Sequence, residues 1–356
     1  MRLLLYTVIS FLISFLIFPV LIKVLRQWNL FDATGAHKIH SSFTPSMGGV
    51  AIFLGAVISL LMCLTFQEWV TYRFFFVSTG IMFIIGLRDD VLALTPLQKL
   101  YTQFLPIFIL VFLDGTLLSS SYGLLGDFTF PHWVSLLISI FVLVILTNAY
   151  NLIDGLDGLA GAIGMIIFGF YGAWFYAVGS TAMAYIAFCF CGSLLAFIFF
   201  NWQPSKIFMG DTGALMIGLL LSYMTIQFIN INYQLPDDAS YKFTSSISTA
   251  ICIIIIPVFD TVRVIILRLR KSISPFRADK NHIHHQFLNL GYSHAKSVMS
   301  ISLISIFFLA IAVLLRKQGD MLILAIVVTV CLIINYTLKV AQKKPMINNG
   351  TADKVN

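Results

Sequence analysis

Apolar residues occupy most of the chain in long runs that short polar stretches separate. A helix that crosses a bilayer needs about 20 mainly apolar residues, so each run predicts a transmembrane helix. The eleven predicted helices lie near residues 3–22, 50–66, 74–87, 100–113, 133–146, 159–178, 181–200, 214–228, 247–267, 298–315 and 321–338. The third, fourth and fifth are short for a span, so either one of them is re-entrant or each extends into its flanks.

The composition excludes the other main classes of protein. Hydrophobic residues make up 59% of the 356 residues and charged residues only 10%, with a mean hydropathy of +0.94. A soluble domain is less apolar, a disordered chain needs high charge, and a disulfide scaffold needs dense cysteine. We therefore predict an all-α polytopic integral membrane protein with about 10–11 transmembrane helices. A single transmembrane domain over residues 1–340 precedes a disordered cytoplasmic tail over 341–356.

Basic residues divide unevenly between the two sides that eleven crossings define. Of the 22 lysines and arginines, 17 fall on one side and 5 on the other. Since cytoplasmic loops carry the excess of Lys and Arg, the first side is cytoplasmic, which puts the N-terminus outside and the C-terminus inside. The net charge of +7 then faces the bilayer surface, and no nucleic acid partner is needed to explain it.

Five carboxylates gather at helix ends on the predicted cytoplasmic side, together with two asparagines and three histidines. They are Asp89, Asp90, Asp154, Asp157, Asp211, Asn148, Asn151, His282, His284 and His285. Ionisable residues near membrane depth are costly, so this set predicts a functional site at the cytoplasmic face. Each acid taken alone can also be an ordinary helix cap.

Two segments favour a divalent cation. The adjacent carboxylates of Asp89 and Asp90 repel each other and need a cation, either Arg88 and Lys99 or a metal ion. In residues 148–158 polar side chains recur at every third position, and their hard oxygen atoms suit magnesium. A broken helix in a transporter uses similar groups, so that class remains an alternative.

Two further segments favour phosphate. Asp211 lies between two glycines just before an apolar helix, whose first N–H groups can bind a phosphate while Asp211 holds a metal ion; a capped turn is the competing interpretation. Three histidines share a loop with Arg277 and Lys280. No cysteine or glutamate completes a zinc site there, so donors to a pyrophosphate fit better. Acids for magnesium and basic groups for phosphates together indicate phosphoryl transfer.

These motifs resemble those of the polyprenyl-phosphate N-acetylhexosamine-1-phosphate transferases, a bacterial membrane family that includes the phospho-MurNAc-pentapeptide translocase. The resemblance covers nearly the whole chain. Residues 40–49 resemble the first motif, Asp89 and Asp90 with Lys99 the second, 148–158 the third, 208–213 the fourth and 282–285 the last.

The resemblance implies transfer of a sugar 1-phosphate, with GlcNAc favoured, from a UDP-N-acetylhexosamine to undecaprenyl phosphate in the bacterial cytoplasmic membrane. UMP leaves, and a lipid-linked cell-envelope glycan begins. It implies Mg²⁺, with Mn²⁺ as an alternative, held by Asn151 and Asp211. Catalytic roles fall to Asp89, Asp90, Lys99, Asp154, Asp157 and Asp211, and substrate binding to Asn148, Phe208 (on uracil), Arg277, His282, His284 and His285.

Several alternatives stay open. The His-Ile-His-His segment is similar to that of the GlcNAc-type enzymes, which makes the MurNAc-pentapeptide substrate of the same family the less favoured one. The lipid phosphate either attacks the β-phosphorus directly, which we favour because a phosphate monoester is largely dianionic at pH 7, or receives the sugar phosphate from an aspartyl-phosphate. The exact sugar, the separate roles of Asp89 and Asp90, and a homodimer are not determined by the sequence.

Overall fold

The computed structural model describes residues 1–28, 44–272 and 282–343, and within them the fold is helical throughout. A π-helical turn, Ile109–Leu113, continues α5. The helices are α1 (Arg2–Gln27), α2 (Gly49–Cys63), α3 (Phe66–Thr71), α4 (Arg73–Val91), α5 (Pro96–Phe108), α6 (His132–Leu152), α7 (Leu159–Ala177), α8 (Thr181–Asn201), α9 (Gly210–Gln234), α10 (Ser246–Ile253), α11 (Ile255–Arg270), α12 (Ile283–Asn289), α13 (His294–Leu314) and α14 (Asp320–Lys343).

The predicted class of polytopic, all-α membrane protein is confirmed. In the described residues eight helices are long and apolar enough to cross a bilayer, or nine if the bent pair α10 and α11 counts as one span. The remaining two predicted spans are also helical, but α2 has only 15 residues and α4 carries four charged residues at its ends. Eight or nine spans therefore meet this criterion, fewer than the predicted ten or eleven.

The three short predicted spans extend into their flanks. α4 runs to Val91, α5 begins at Pro96, and α6 continues to Leu152. The start of α5 is set by a capping box between Thr95 and Gln98, with proline at the first helical position. Extension rather than re-entry therefore places the Asp89–Asp90 pair, Lys99 and the two asparagines within the ends of helices.

The single helix predicted over residues 247–267 is divided into two helices, α10 and α11. α10 and α11 meet at Ile254 with a bend of 83°. Pro257 has no N–H to donate to the carbonyl of Ile253 four residues earlier, which removes the hydrogen bond that would have continued the helix. The bent pair still connects the two ends of the bundle, because α10 contacts the start of α14 and α11 contacts the start of α12.

α9 is the central helix, with most of its length buried, and it packs against α4 and α6. Two glycines allow backbone contact at its first turn. A Cβ atom added to Gly86 would lie 2.6 Å from Cα of Thr212, and one added to Gly49 would lie 2.6 Å from the carbonyl carbon of Thr212. The start of α2, the last turns of α4 and the start of α9 thus lie together at one end of the bundle, where the predicted site residues are.

Candidate functional site at one end of the helix bundle

Oδ1 of Asp211 is the point at which three helices meet. Nδ2 of Asn151, on the last turn of α6, donates a hydrogen bond of 2.7 Å to it. Nζ of Lys99, on the first turn of α5, forms an ion pair with the same oxygen and lies 3.2 Å from Oδ2 of Asp89 at the end of α4. Four of the predicted site residues, from four helices, are therefore in direct contact.

Asp89 and Asp90 are adjacent in sequence but have different surroundings. Asp90 accepts the backbone N–H of Asp211 at 2.7 Å through Oδ1, and the N–H of Thr212 at 2.9 Å and its hydroxyl through Oδ2. Asp89 accepts the N–H of Leu94 through Oδ1, whereas its Oδ2 is buried without a hydrogen bond and faces Lys99. Both oxygens of Asp90 thus accept hydrogen bonds from the protein, whereas Oδ2 of Asp89 contacts only the ammonium group of Lys99.

The carboxylate of Asp90 acts as an N-terminal cap for α9 that is supplied by a neighbouring helix. A helix start leaves its first N–H groups without partners, and an anion there is favourable. Because Asp90 already accepts the N–H groups of Asp211 and Thr212, these two donors are not available for a substrate phosphate, contrary to our interpretation of that segment.

The motif at residues 148–158 is part helix and part turn. Asn148 and Asn151 lie on α6, whereas Asp154 and Asp157 lie in the turns before α7. The amide of Asn148 exchanges two hydrogen bonds with that of Gln103 on α5, at 2.7 and 3.3 Å. The last turns of α6 therefore form side-chain hydrogen bonds with two helices, through Asn151 to α9 and through Asn148 to α5.

The end of this motif is fixed by Asn201, the last residue of α8. Gly158 has a left-handed backbone (φ +84°), and its N–H donates to Oδ1 of Asn201 at 2.6 Å. Nδ2 of Asn201 in turn donates to the carbonyl of Ile207 at 2.8 Å. Asp157, just before this turn, lies with Oδ2 4.0 Å from Nδ1 of His294. Asn201 thus joins the third motif to the segment that leads into the fourth.

The three histidines pack beside the third motif. His282 precedes α12, its ring lies parallel to that of His284 with centroids 5.7 Å apart, and the ring of His285 is 4.3 Å from that of His284. A Cβ atom added to Gly155 would lie only 2.7 Å from Nε2 of His284. Burial, and after it the neighbouring His285, lower the pKa of His284 to about 4, so His284 is neutral at pH 7.

Of the remaining predicted site residues, Phe208 is described by the structure and the others are not. Phe208 is half-buried, and its backbone pairs with that of the first motif, since its N–H donates to Pro45 and its carbonyl accepts from Gly48, at 2.9 and 2.8 Å. Arg277, Lys280 and the first residues of motif one, 40–43, lie outside the described residues.

Sequence reasoning missed three residues of this end of the bundle: Gln103, Asn201 and Asp260. Asp260 had a usable signal, because it is an acid inside an apolar span with Arg263 three residues later, and ionisable residues within spans are functional candidates. The other two are neutral amides, Gln103 inside α5 and Asn201 at the end of α8, and such residues are common in helical proteins and carry no distinguishing spacing here.

Comparisons with known proteins identify the family of the chain. The profile of Glycosyl transferase family 4 matches residues 72–229, which include the acidic, amide and lysine cluster. The probable undecaprenyl-phosphate N-acetylglucosaminyl 1-phosphate transferase of Bacillus subtilis is 30% identical over 333 residues, covering 90% of this chain and 87% of that relative. The undecaprenyl-phosphate alpha-N-acetylglucosaminyl 1-phosphate transferase of Yersinia pestis is 27% identical, covering 92% and 89% of the two chains.

A third relative carries a different lipid in its name. The decaprenyl-phosphate N-acetylglucosaminephosphotransferase of Mycolicibacterium smegmatis is 30% identical over 286 residues, which cover 74% of this chain and 70% of that relative. The family profile and the length of these matches agree with the motifs read from the sequence. The chain therefore belongs to glycosyl transferase family 4, among the polyprenyl-phosphate N-acetylhexosamine-1-phosphate transferases that its motifs resemble.

Proposed function

We propose that this protein transfers GlcNAc 1-phosphate from UDP-GlcNAc to undecaprenyl phosphate and releases UMP. The observation that carries the proposal is the position of Lys99 between Asp89 and Asp211, with Asn151 on the same oxygen of Asp211. The names of relatives from several bacteria support the donor sugar and the lipid acceptor. Such a cluster of alternating charges suits a reaction that depends on positioning and on neutralising phosphate charge.

The cluster offers the oxygen ligands that a magnesium ion prefers. No three His, Cys, Asp or Glu side chains are grouped to hold a metal ion in the part of the chain that the structure describes. Mg²⁺ needs fewer, because it takes one or two carboxylates and completes its shell with water and substrate phosphates. Asp211 and Asn151 would hold it, with the unbonded Oδ2 of Asp89 nearby; Mn²⁺ suits the same ligands. The bound ion would neutralise charge on the diphosphate.

The chain's own residues then orient the reactants. Lys99 compensates two carboxylates and supplies positive charge near the diphosphate, while Asp90 fixes the first turn of α9 and so the direction of Asp211. His282 and His285 flank His284, which contacts the third motif at Gly155, and this position suits contacts with phosphate oxygens. The proposed site is completed by four more residues. Phe208 would stack on uracil, Arg277 would contact the diphosphate, and Asp154 and Asp157 would contribute carboxylates from the third motif.

We favour direct displacement. The dianionic phosphate of the lipid attacks the β-phosphorus, a new P–O bond forms there, and the bond from the β-phosphorus to the bridging oxygen breaks, so its electron pair leaves with UMP. The alternative begins with attack by a carboxylate. Asp90 is unsuited to that role because the protein donors around it occupy both of its oxygens, which leaves Asp89 as the candidate nucleophile of that route.

We further propose that the site faces the cytoplasm, with the N-terminus outside and the C-terminus inside. The excess of basic residues on that side supports this orientation. The test uses single cysteines in intact cells and a maleimide that does not cross membranes. Gly319→Cys, in the exposed turn before α14, should react, and Lys271→Cys, after α11, should not, with the parent protein measured in parallel. The reverse labelling pattern would reverse the orientation.

The central experiment is transfer of radiolabel from UDP-GlcNAc to undecaprenyl phosphate by the purified protein. Label should move into the organic phase with an equal amount of UMP in water, it should stop when EDTA removes divalent ions, and Mg²⁺ or Mn²⁺ should restore it. Asp211→Asn should abolish it. Transfer only from UDP-GalNAc or the MurNAc-pentapeptide donor would correct the sugar. No transfer from any donor, or full activity of Asp211→Asn, would overturn the proposal.

A further inference from the structure

A buried carboxylate outside the acidic cluster contacts the first histidine of the histidine segment. Asp260, on α11, is 0% exposed. Its Oδ2 lies 2.8 Å from Nδ1 of His282. Its Oδ1 accepts the backbone N–H of Ile283 at 2.6 Å and Nη2 of Arg263 at 3.2 Å. One side chain thus holds both the backbone and the ring at the start of α12.

The surrounding donors determine which ring nitrogen of His282 carries a proton. A backbone N–H and a guanidinium can only donate, so Oδ1 of Asp260 must be an acceptor, and Arg263 supplies the charge that an ionised, buried carboxylate needs. An ionised carboxylate accepts hydrogen bonds and donates none. Nδ1 of His282 is therefore the protonated nitrogen, which leaves Nε2 as the nitrogen that can meet a ligand.

We propose that Asp260 is a positioning residue for the transfer reaction, and this inference rests on the function proposed above. Asp260 accepts the Nδ1–H of His282, fixes the plane of its ring and stabilises the ring as an imidazolium, so that Nε2–H donates a hydrogen bond to a phosphate oxygen of the nucleotide sugar. The ring has a place beside the reacting groups, since it stacks parallel to His284, which contacts the third motif at Gly155.

The smallest change that tests this idea is Asp260→Asn. The amide oxygen would remain with Ile283 and Arg263, which can only donate, so the amide NH₂ would face Nδ1 of His282. Nδ1 would then have to accept, and the proton would move to Nε2. The ring would lose the carboxylate that stabilises its imidazolium, so we expect kcat to fall by about 10²–10³-fold, as when one donor that stabilises transition-state charge is removed, with little change in KM for UDP-GlcNAc.

A double substitution distinguishes positioning from a purely structural role. If Asp260 acts through His282, then Asp260→Asn combined with His282→Gln should be no slower than His282→Gln alone, because the interaction has already been removed. Asp320 provides a matched control: it is also buried, and it accepts the N–H and hydroxyl of Ser248 at the opposite end of the bundle. Asp320→Asn should therefore keep kcat even if it lowers the melting temperature.

The outcomes separate this inference from the function itself. If the unmodified protein transfers no sugar phosphate, both are overturned. If it is active and Asp260→Asn keeps its kcat, changes only KM, or adds fully to His282→Gln, the positioning role alone is overturned. Should Asp260→Asn fail to fold, His282→Gln still decides, because a kcat equal to that of the unmodified protein would show that Nε2 has no role for Asp260 to support.

Discussion

The carboxylate of Asp90 caps the backbone of Asp211, 121 residues later in the chain, with a hydrogen bond of 2.7 Å to its N–H. One member of the adjacent acidic pair is therefore committed to holding α9, and the other, Asp89, faces Lys99. This division gives different expectations for two substitutions that look equivalent in the sequence.

Asp90→Asn should destabilise the protein more than Asp89→Asn does. An asparagine at 90 would direct an NH₂ group at an N–H donor and leave part of the first turn of α9 without an acceptor, at a cost of about 1–3 kcal/mol. Thermal unfolding in detergent measures the difference. Both variants should lose transfer activity, but Asp89→Asn should do so with a melting temperature near that of the parent. A larger stability loss for Asp89→Asn would contradict the assignment.

Lys99→Met should lower kcat by at least about 100-fold, because removing the ammonium leaves Asp89 and Asp211 facing each other without a compensating charge. Lys242→Met is the control, since Lys242 also pairs with an aspartate, Asp237, at 2.8 Å, away from the site. The measurement is steady-state transfer with saturating lipid. Equal effects of the two substitutions would mean that the charge at position 99 has no special place in the reaction.

Gly86→Ala should abolish activity while Gly80→Ala, on the same helix, should leave it intact. A Cβ atom at Gly86 would lie 2.6 Å from Cα of Thr212, and backbone cannot rotate away as a flexible side chain can. Nothing lies within 4 Å of a Cβ atom at Gly80. The added methyl group at 86 must therefore separate α4 from α9 and pull Asp89 away from Asp211. Transfer assays on both variants check this, and an active Gly86→Ala protein would refute the close approach.

The histidine segment should make the fold sensitive to acid. His284 has its pKa lowered to about 4, against 6.5 for an unperturbed histidine, so between these values the unfolded chain binds a proton that the folded chain does not. Stability therefore falls as the pH drops below about 6.5, by about 2 kcal/mol at pH 5, and levels off below about 4.

The measurement compares unfolding of the parent and His284→Asn in detergent at pH 7.5 and pH 5. Comparing the two proteins removes the titration of the other groups near His284, which are His282, His285, Asp260 and Arg263. The parent should lose more stability than the variant on acidification. An identical loss in both would show that His284 is not the group responsible.

The sequence predicted much of this structure because membrane helices have a simple requirement. In lipid the backbone N–H and C=O groups of a long apolar run must form hydrogen bonds within the protein. The helical form and approximate positions of these runs therefore follow from hydropathy alone. Hydropathy could not locate the ends: Asn148 and Asn151 belong to α6, beyond the predicted end of that span at residue 146. It also missed the bend before Pro257, because the apolar pattern passes through it without interruption.

Within the candidate site, residue types could be predicted but their pairing could not. The spacing of acids and amides identified Asp89, Asn151 and Asp211, and the structure joins them through Lys99. The use of Asp90 as a cap depends on how closely α4 approaches α9, and Gly86 permits that close approach. The packing of helices therefore determines which of two identical side chains remains free to react.

The contacts of Lys99 and Asn151 with Asp211 have a second consequence for how the chain can vary. In a bilayer the surrounding tails are as apolar as the helices, so polar contacts between helix ends add to the packing that holds the helices together. Here the proposed site residues also form the polar contacts that hold α5, α6 and α9 together. A change at any of them loosens the assembly and weakens the reaction together, which leaves such positions little freedom to drift.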